Sequence, residues 1–139
     1  MFTSAQFYII VSNNSLIIKK EDDYSEYIIN LQQFIPNIPA YYHLFDADKE
    51  NYIKDIKNQI KGLKIKNATI IFPDDCMDIQ IDKQILIEFL MTCGVKKTQV
   101  DFQCFLLNLN DKKYISISKT ARFIVMQYIA YGNSISKKY

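Results

Sequence analysis

Phe7-Tyr8-Ile9-Ile10-Val11 and Leu16-Ile17-Ile18 are two short runs of β-branched and aromatic residues, separated by Ser12-Asn13-Asn14-Ser15. Such runs on either side of an Asn pair, which tolerates positive φ, predict a β-hairpin. In the next stretch Asp23 can cap a helix with a stripe of Tyr24, Tyr27, Ile28, Leu31 and Phe34, closed by Pro36. The β-branched pair Ile28-Ile29 leaves a third strand open as the alternative. Pro36 and Pro39 then mark a loop.

The pattern sharpens further along. Tyr52, Ile53, Ile56 and Ile60 keep helical spacing behind the capping candidates Asp46 and Asp48, and Gly62 is the expected stop with positive φ. Ala68–Phe72 is a short apolar run ended by Pro73, the pattern of a strand buried on both faces. A second helix is expected from about Asp82 to Cys93, with Ile85, Leu86, Phe89, Leu90 and Cys93 on its apolar face and Gly94 as its stop. From there the period changes to two. Gln99–Leu107 places Val100, Phe102 and Cys104 inward, and Tyr114-Ile115-Ser116-Ile117-Ser118 alternates too. Arg122–Tyr131 is a long β-rich run, and Gly132-Asn133 offers a hairpin turn into Ser134–Lys138. The expected order is hairpin, helix, helix, central strand, helix and four strands. That is one α/β or α+β domain over residues 1–139, a mixed β-sheet with helices packed on it.

Three pieces of this order, Ala68-Thr69-Ile70-Ile71-Phe72-Pro73, the helix to Cys93-Gly94 and the strand Thr98–Leu107, resemble the actin/Hsp70 superfamily, in particular the bacterial rod-shape filament proteins. Tyr114–Thr120, Arg122–Tyr131 and Ser134–Lys138 stand where that family begins its second half with a strand and a hairpin. The resemblance covers roughly residues 68–138 and implies a ribonuclease H-like or actin-like subdomain, about half of a complete member. It carries no functional residue across. The family's phosphate turns need glycines, so that backbone N–H groups converge on oxygens, and an Asp to hold Mg²⁺. Neither Ile10–Ser15 nor Ser116–Thr120 contains a glycine or an Asp. The resemblance therefore implies a fold that has lost its nucleotide site.

Composition adds limits. The chain has 139 residues, 49% hydrophobic and 23% charged, enough for a core and close to the globular norm. A net charge of +2 is too small to imply a polyanion partner. The longest apolar runs, such as Ile85–Leu90, are far short of a membrane span. The start of the chain lacks a basic signal-peptide region. Cys76, Cys93 and Cys104 form no CxxC pair and fit free thiols in a reducing, cytoplasmic setting.

Each polar cluster has two readings. Asp74, Asp75, Asp78 and Asp82 could hold Mg²⁺ at the end of a central strand, but Asp78 or Asp82 as a helix cap explains them more simply. His43, the only histidine, could couple to a cysteine, but no nucleophile elbow frames such a pair. Lys54, Lys57 and Lys61 share a helix face that could meet phosphates, or simply be solvated. Tyr41, Tyr42 and Phe45 form an aromatic cluster that serves either as a binding surface or as core. In the last strands Val125, Tyr128 and Tyr131 are the candidate contacts, because Arg122–Tyr131 lacks proline and holds no charge after Arg122. Lys137-Lys138 could instead protect that edge.

No catalytic residue, cofactor or metal ligand set is expected. The leading reading is a non-catalytic module that binds another protein or itself, in a cytosolic assembly. The alternatives are a nucleotide-linked protein using an unconventional site near Asp74–Asp78 and Ser116–Thr120, and a weak nucleic-acid binder through the lysine face.

Overall fold

Strands β1 (Gln6–Val11) and β2 (Ser15–Lys20) pair antiparallel, with Ile9 opposite Ile18 and Val11 opposite Leu16. The structure is a computed structural model, and it describes residues 6–23, 25–75, 78–103, 113–120, 124–131 and 133–139. Tyr24, Cys76, Cys104, Arg122, Phe123, Gly132 and the end of the expected Gln99–Leu107 strand lie outside the described residues. The first hairpin forms as expected, but neither Asn13 nor Asn14 takes positive φ.

The segment expected to be a helix after Asp23 is instead strand β3 (Glu26–Asn30), antiparallel to β2. Here the β-branched pair decides. In a strand, Ile29 and then Leu31 alternate into the core beside Leu16, whereas a helix would have turned Ile28 inward, and Ile28 is exposed. Asp22, with φ 65°, makes the turn into β3. Asp23 caps no helix; its carboxylate accepts from Ser25 N and Ser25 Oγ.

A 3₁₀ turn at Ala40–His43 and another at Ala47–Lys49 lead into helix α1 (Glu50–Gly62). Asp46 stands at the start of the second 3₁₀ turn, without a side-chain capping bond. Strand β4 (Asn67–Phe72) then runs parallel to β1, helix α2 spans Ile79–Thr92, and strand β5 (Lys97–Phe102) runs parallel to β4. The resulting five-stranded mixed sheet has the order β3-β2-β1-β4-β5. Ile9, Leu16, Ile29, Ile70 and Phe72 project from one face into a single cluster with Ile53, Ile56 and Ile60 of α1 and Leu86, Phe89 and Leu90 of α2. Phe89 meets Phe45 edge-on at 6.1 Å between ring centroids, and Lys57 Nζ of α1 lies 5.9 Å from its centre. Both helices thus lie side by side on one face.

The two expected glycine stops separate here. Gly94 has φ 93°; its N–H donates to Met91 O, and Val95 N–H donates to Leu90 O. That is a Schellman motif with glycine at the left-handed position. Gly62 instead closes the last helical turn, and the positive φ falls two residues later at Lys64, with φ 55°. Gly94→Val should therefore cost about 1 kcal/mol or more. Gly62→Ala should be neutral or stabilising by about 0.4–1 kcal/mol, since a Cβ there meets nothing within 4 Å. Urea denaturation of both variants checks this.

A second sheet follows, of order β6-β7-β8 and antiparallel throughout: β6 (Lys113–Lys119), β7 (Ile124–Ala130) and β8 (Asn133–Lys138). A bulge between Tyr128 and Ile129 shifts the register of β8. β6 alternates as expected, with Ser116 buried and Ile115 and Ile117 exposed, whereas every residue of β8 is exposed.

Candidate functional site

Antiparallel partners directly opposite share a face, so the register of the second sheet sorts its side chains without ambiguity. Ile115 faces Tyr128, Ile117 faces Met126, and Lys119 faces Ile124. All of these are exposed: Ile115 63%, Ile117 62%, Ile124 63%, Met126 46% and Tyr128 38%. Val125, Gln127 and Ile129 alternate the other way and are buried, as is Ser116. The sheet thus has an inner face and an apolar outer face on which five large side chains stand together in solvent. Soluble surfaces expose single apolar residues freely, so a contiguous group of this kind is the candidate contact surface of the chain.

Of the six residues expected to contact a partner, the fold brings only some to a surface. Tyr128 lies on the outer face, and Tyr131, with φ 52°, is exposed just beyond β7, where Lys113 Nζ lies 5.5 Å from its ring centre. Phe45 is half exposed and Tyr42 partly buried. Val125 and Tyr41 are corrections. Val125 has the inward parity of β7 and is 0% exposed. Tyr41 is buried in the main core, its hydroxyl donating to Asp82 Oδ2 at 3.1 Å. The outer-face residues Ile115, Ile117, Ile124 and Met126 were not among the sequence candidates, although Ile115 and Ile117 stand at the two-residue spacing that predicted β6.

The acidic cluster is divided among structural tasks. Asp78 caps α2, its Oδ1 accepting from Ile81 N at 3.3 Å. Asp82, one turn in, is buried against Tyr41. Asp74 Oδ2 accepts from Ser118 Oγ at 2.6 Å and so ties the end of β4 to β6. Among the described residues no three His, Cys, Asp or Glu side chains converge as a metal site.

Beside this tie lies a cleft of about 370 Å³, lined by Ser12, Asn13 and Asn14 after β1, Pro73 and Asp75 after β4, and Lys119 and Thr120 at the end of β6. It sits at the carboxyl ends of the parallel strands β1 and β4, the place where ligands gather in open α/β sheets. Asp75 from the Asp74–Asp78 loop and Lys119 and Thr120 from Ser116–Thr120, the two segments of the sequence alternative, line this one cleft. The cleft's described residues include no glycine and no positive φ. The turn's carbonyls are engaged too: Asn13 O accepts from Ala40 N, and Asn14 O from Leu31 N.

His43 is buried, with Nδ1 2.7 Å from Asp46 Oδ2, the same oxygen that accepts from Lys49 Nζ at 3.0 Å. These two contacts, first His43 and then Lys49, hold the Asp46 carboxyl below its ordinary value. Stability from this network is present above the unfolded carboxylate value and is lost as pH falls through the lowered one. The stability gap between the wild type and Asp46→Asn should therefore shrink in acid titrations below about pH 4. A gap that stays constant with pH would mean the charge contributes nothing. Cys93 is free and buried, and burial pushes its thiol up, which makes it a poor nucleophile. Lys54, Lys57 and Lys61 line a shallow groove with Phe45 and Glu50.

No family model and no curated protein sequence matches the chain. Solved structures do. MreB5 of Spiroplasma citri, bound to ADP, superposes with a TM-score of 0.63 at 11% identity, over 98% of this chain and 51% of that one. The ethanolamine utilization protein EutJ from Carboxydothermus hydrogenoformans gives a TM-score of 0.55 at 10% identity, over 99% of this chain and 52% of that one. The fold is therefore actin-like, and the likeness extends from residues 68–138 to nearly the whole chain, the five-stranded sheet included. This chain spans about half the length of the structures it matches. Among the described residues no helix is long and apolar enough to cross a membrane.

Proposed function

We propose that this chain is a non-catalytic protein-interaction module with an actin-like fold, working in a cytoplasmic assembly. It binds its protein partner through the outer face of β6–β8. The observation that carries this reading is the group Ile115, Ile117, Ile124, Met126 and Tyr128, all exposed on one face of the three-stranded sheet. Apolar and aromatic anchors of this kind form the centre of protein interfaces. A photo-crosslinking residue in place of Tyr128 should give discrete protein adducts in the native cell. The same residue in place of Glu88, exposed on α2, should not. Matching adducts at both positions, or none at either, would overturn the reading.

The cleft favours one second reading, a phosphate-bearing ligand held near Lys119 and Thr120. Its position at the strand ends supports this, as does the ADP bound by the MreB5 structure. Against it stands the lack of a glycine turn, without which backbone N–H groups do not converge on a phosphate. The chain is accordingly expected not to hydrolyse ATP. A Mg²⁺-dependent ATPase that is lost in Asp75→Asn would put the second reading first.

A further inference from the structure

We infer that the outer face of β6–β8 takes an acidic amphipathic helix, an inference that rests on the protein-binding reading above and names the class of partner. Charge carries it. Residues 113–139 hold Lys113, Lys119, Arg122, Lys137 and Lys138 and not one acidic residue, and all 15 Asp and Glu of the chain lie earlier. The register places three of these charges, Lys113, Lys119 and Lys138, around the apolar group. Lys119 pairs with Ile124 at one end, Lys113 with Ala130 at the other, and Lys138 stands beside Met126 on β8. The outer face is thus an apolar centre with lysines at three corners. Its electrostatic complement is an apolar stripe flanked by carboxylates.

The dimensions fit a helix. Three strands span two spacings of about 4.8 Å, matching a helix about 10 Å across. The seven residues of β7 extend about 23 Å at roughly 3.3 Å each, the length of about 15 helical residues. The larger sheet of this chain is covered in the same way, by α1 and α2 lying on one face. A lipid surface fits less well, because interfacial binders bury Trp, Phe or Leu below the headgroups. The outer face offers only Tyr128 as an aromatic among its five apolar residues.

The test uses the full chain and two designed helices of about 16 residues, both with a leucine stripe, one flanked by glutamates and the other by lysines. At low salt the acidic helix should bind about tenfold more tightly or better, and salt should weaken it. Ile117→Lys should abolish binding, and the joint change Lys113→Glu, Lys119→Glu and Lys138→Glu should reverse the preference. These positions are exposed, so the variants should stay folded, as circular dichroism would verify. Equal affinity for the two helices, or acidic-helix binding untouched by these variants, would overturn the inference. So would a dimer forming with no helix bound, or a preference for phosphatidylglycerol over phosphatidylcholine vesicles with no helix bound. If Tyr128 still crosslinks to protein in such a case, the protein-binding reading stands and only the partner class is wrong. If Tyr128 gives no adducts, the reading itself fails.

Discussion

Phe89→Ala should lower the stability of the fold by about 3–5 kcal/mol. The ring is 0% exposed and belongs to the cluster that joins both helices to the five-stranded sheet. It meets Phe45 edge-on and lies under Lys57 of α1, so its loss removes contacts on two sides at once. Little around it can collapse into the space, since Leu86, Leu90 and Phe72 are themselves fully buried. Urea denaturation gives the value directly. A loss under about 1.5 kcal/mol would mean that this part of the core is loosely packed.

The second large effect separates neighbouring residues of one strand. Val125→Lys should destabilise by about 4 kcal/mol or more, because it forces a charge onto the buried face of β7. Met126→Lys, one residue on, should leave the midpoint of denaturation within about 0.5 kcal/mol of the wild type. It should nevertheless remove partner binding, since Met126 stands in the middle of the outer face beside Ile117. Comparable destabilisation in both variants would mean that both faces of the sheet are covered, leaving no free surface to bind anything.

That pair of residues also shows where the sequence could and could not be read. Alternation made β6 visible, and a β-rich run and a turn signal did the same for β7 and β8, but parity within a run that is apolar at nearly every position is not legible. Ile124-Val125-Met126 offers no polar residue to mark the solvent side. Only Gln127 breaks the pattern, and it misleads, because it is buried and its Oε1 accepts from Ser134 Oγ. The parallel strand Asn67–Phe72 was legible as a short apolar run ended by Pro73, and both helices as apolar stripes at helical spacing. Strand β3 was read only as the alternative to a helix because Tyr27, Ile28 and Leu31 fit a helical stripe, and its pairing with β2, the strand before it, decides the matter. Gly62 was misplaced for a local reason: Lys64 supplies the left-handed residue that glycine usually provides. The candidate cleft could be anticipated only as two loops of unknown proximity. The crossover from β1 to the parallel strand β4, and the bond from Ser118 to Asp74, are what bring them together.

The most direct test of the outer face as a protein-binding surface is built into the chain as two methionines. Met126 is 46% exposed on the outer face and Met91 is 61% exposed on α2. Both should be oxidised by peroxide at similar rates in the dilute purified protein. Inside the native cell, mass spectrometry should find Met126 protected by about tenfold relative to Met91, because a bound partner removes it from solvent. An unchanged Met126-to-Met91 ratio between cell and dilute solution would contradict the account.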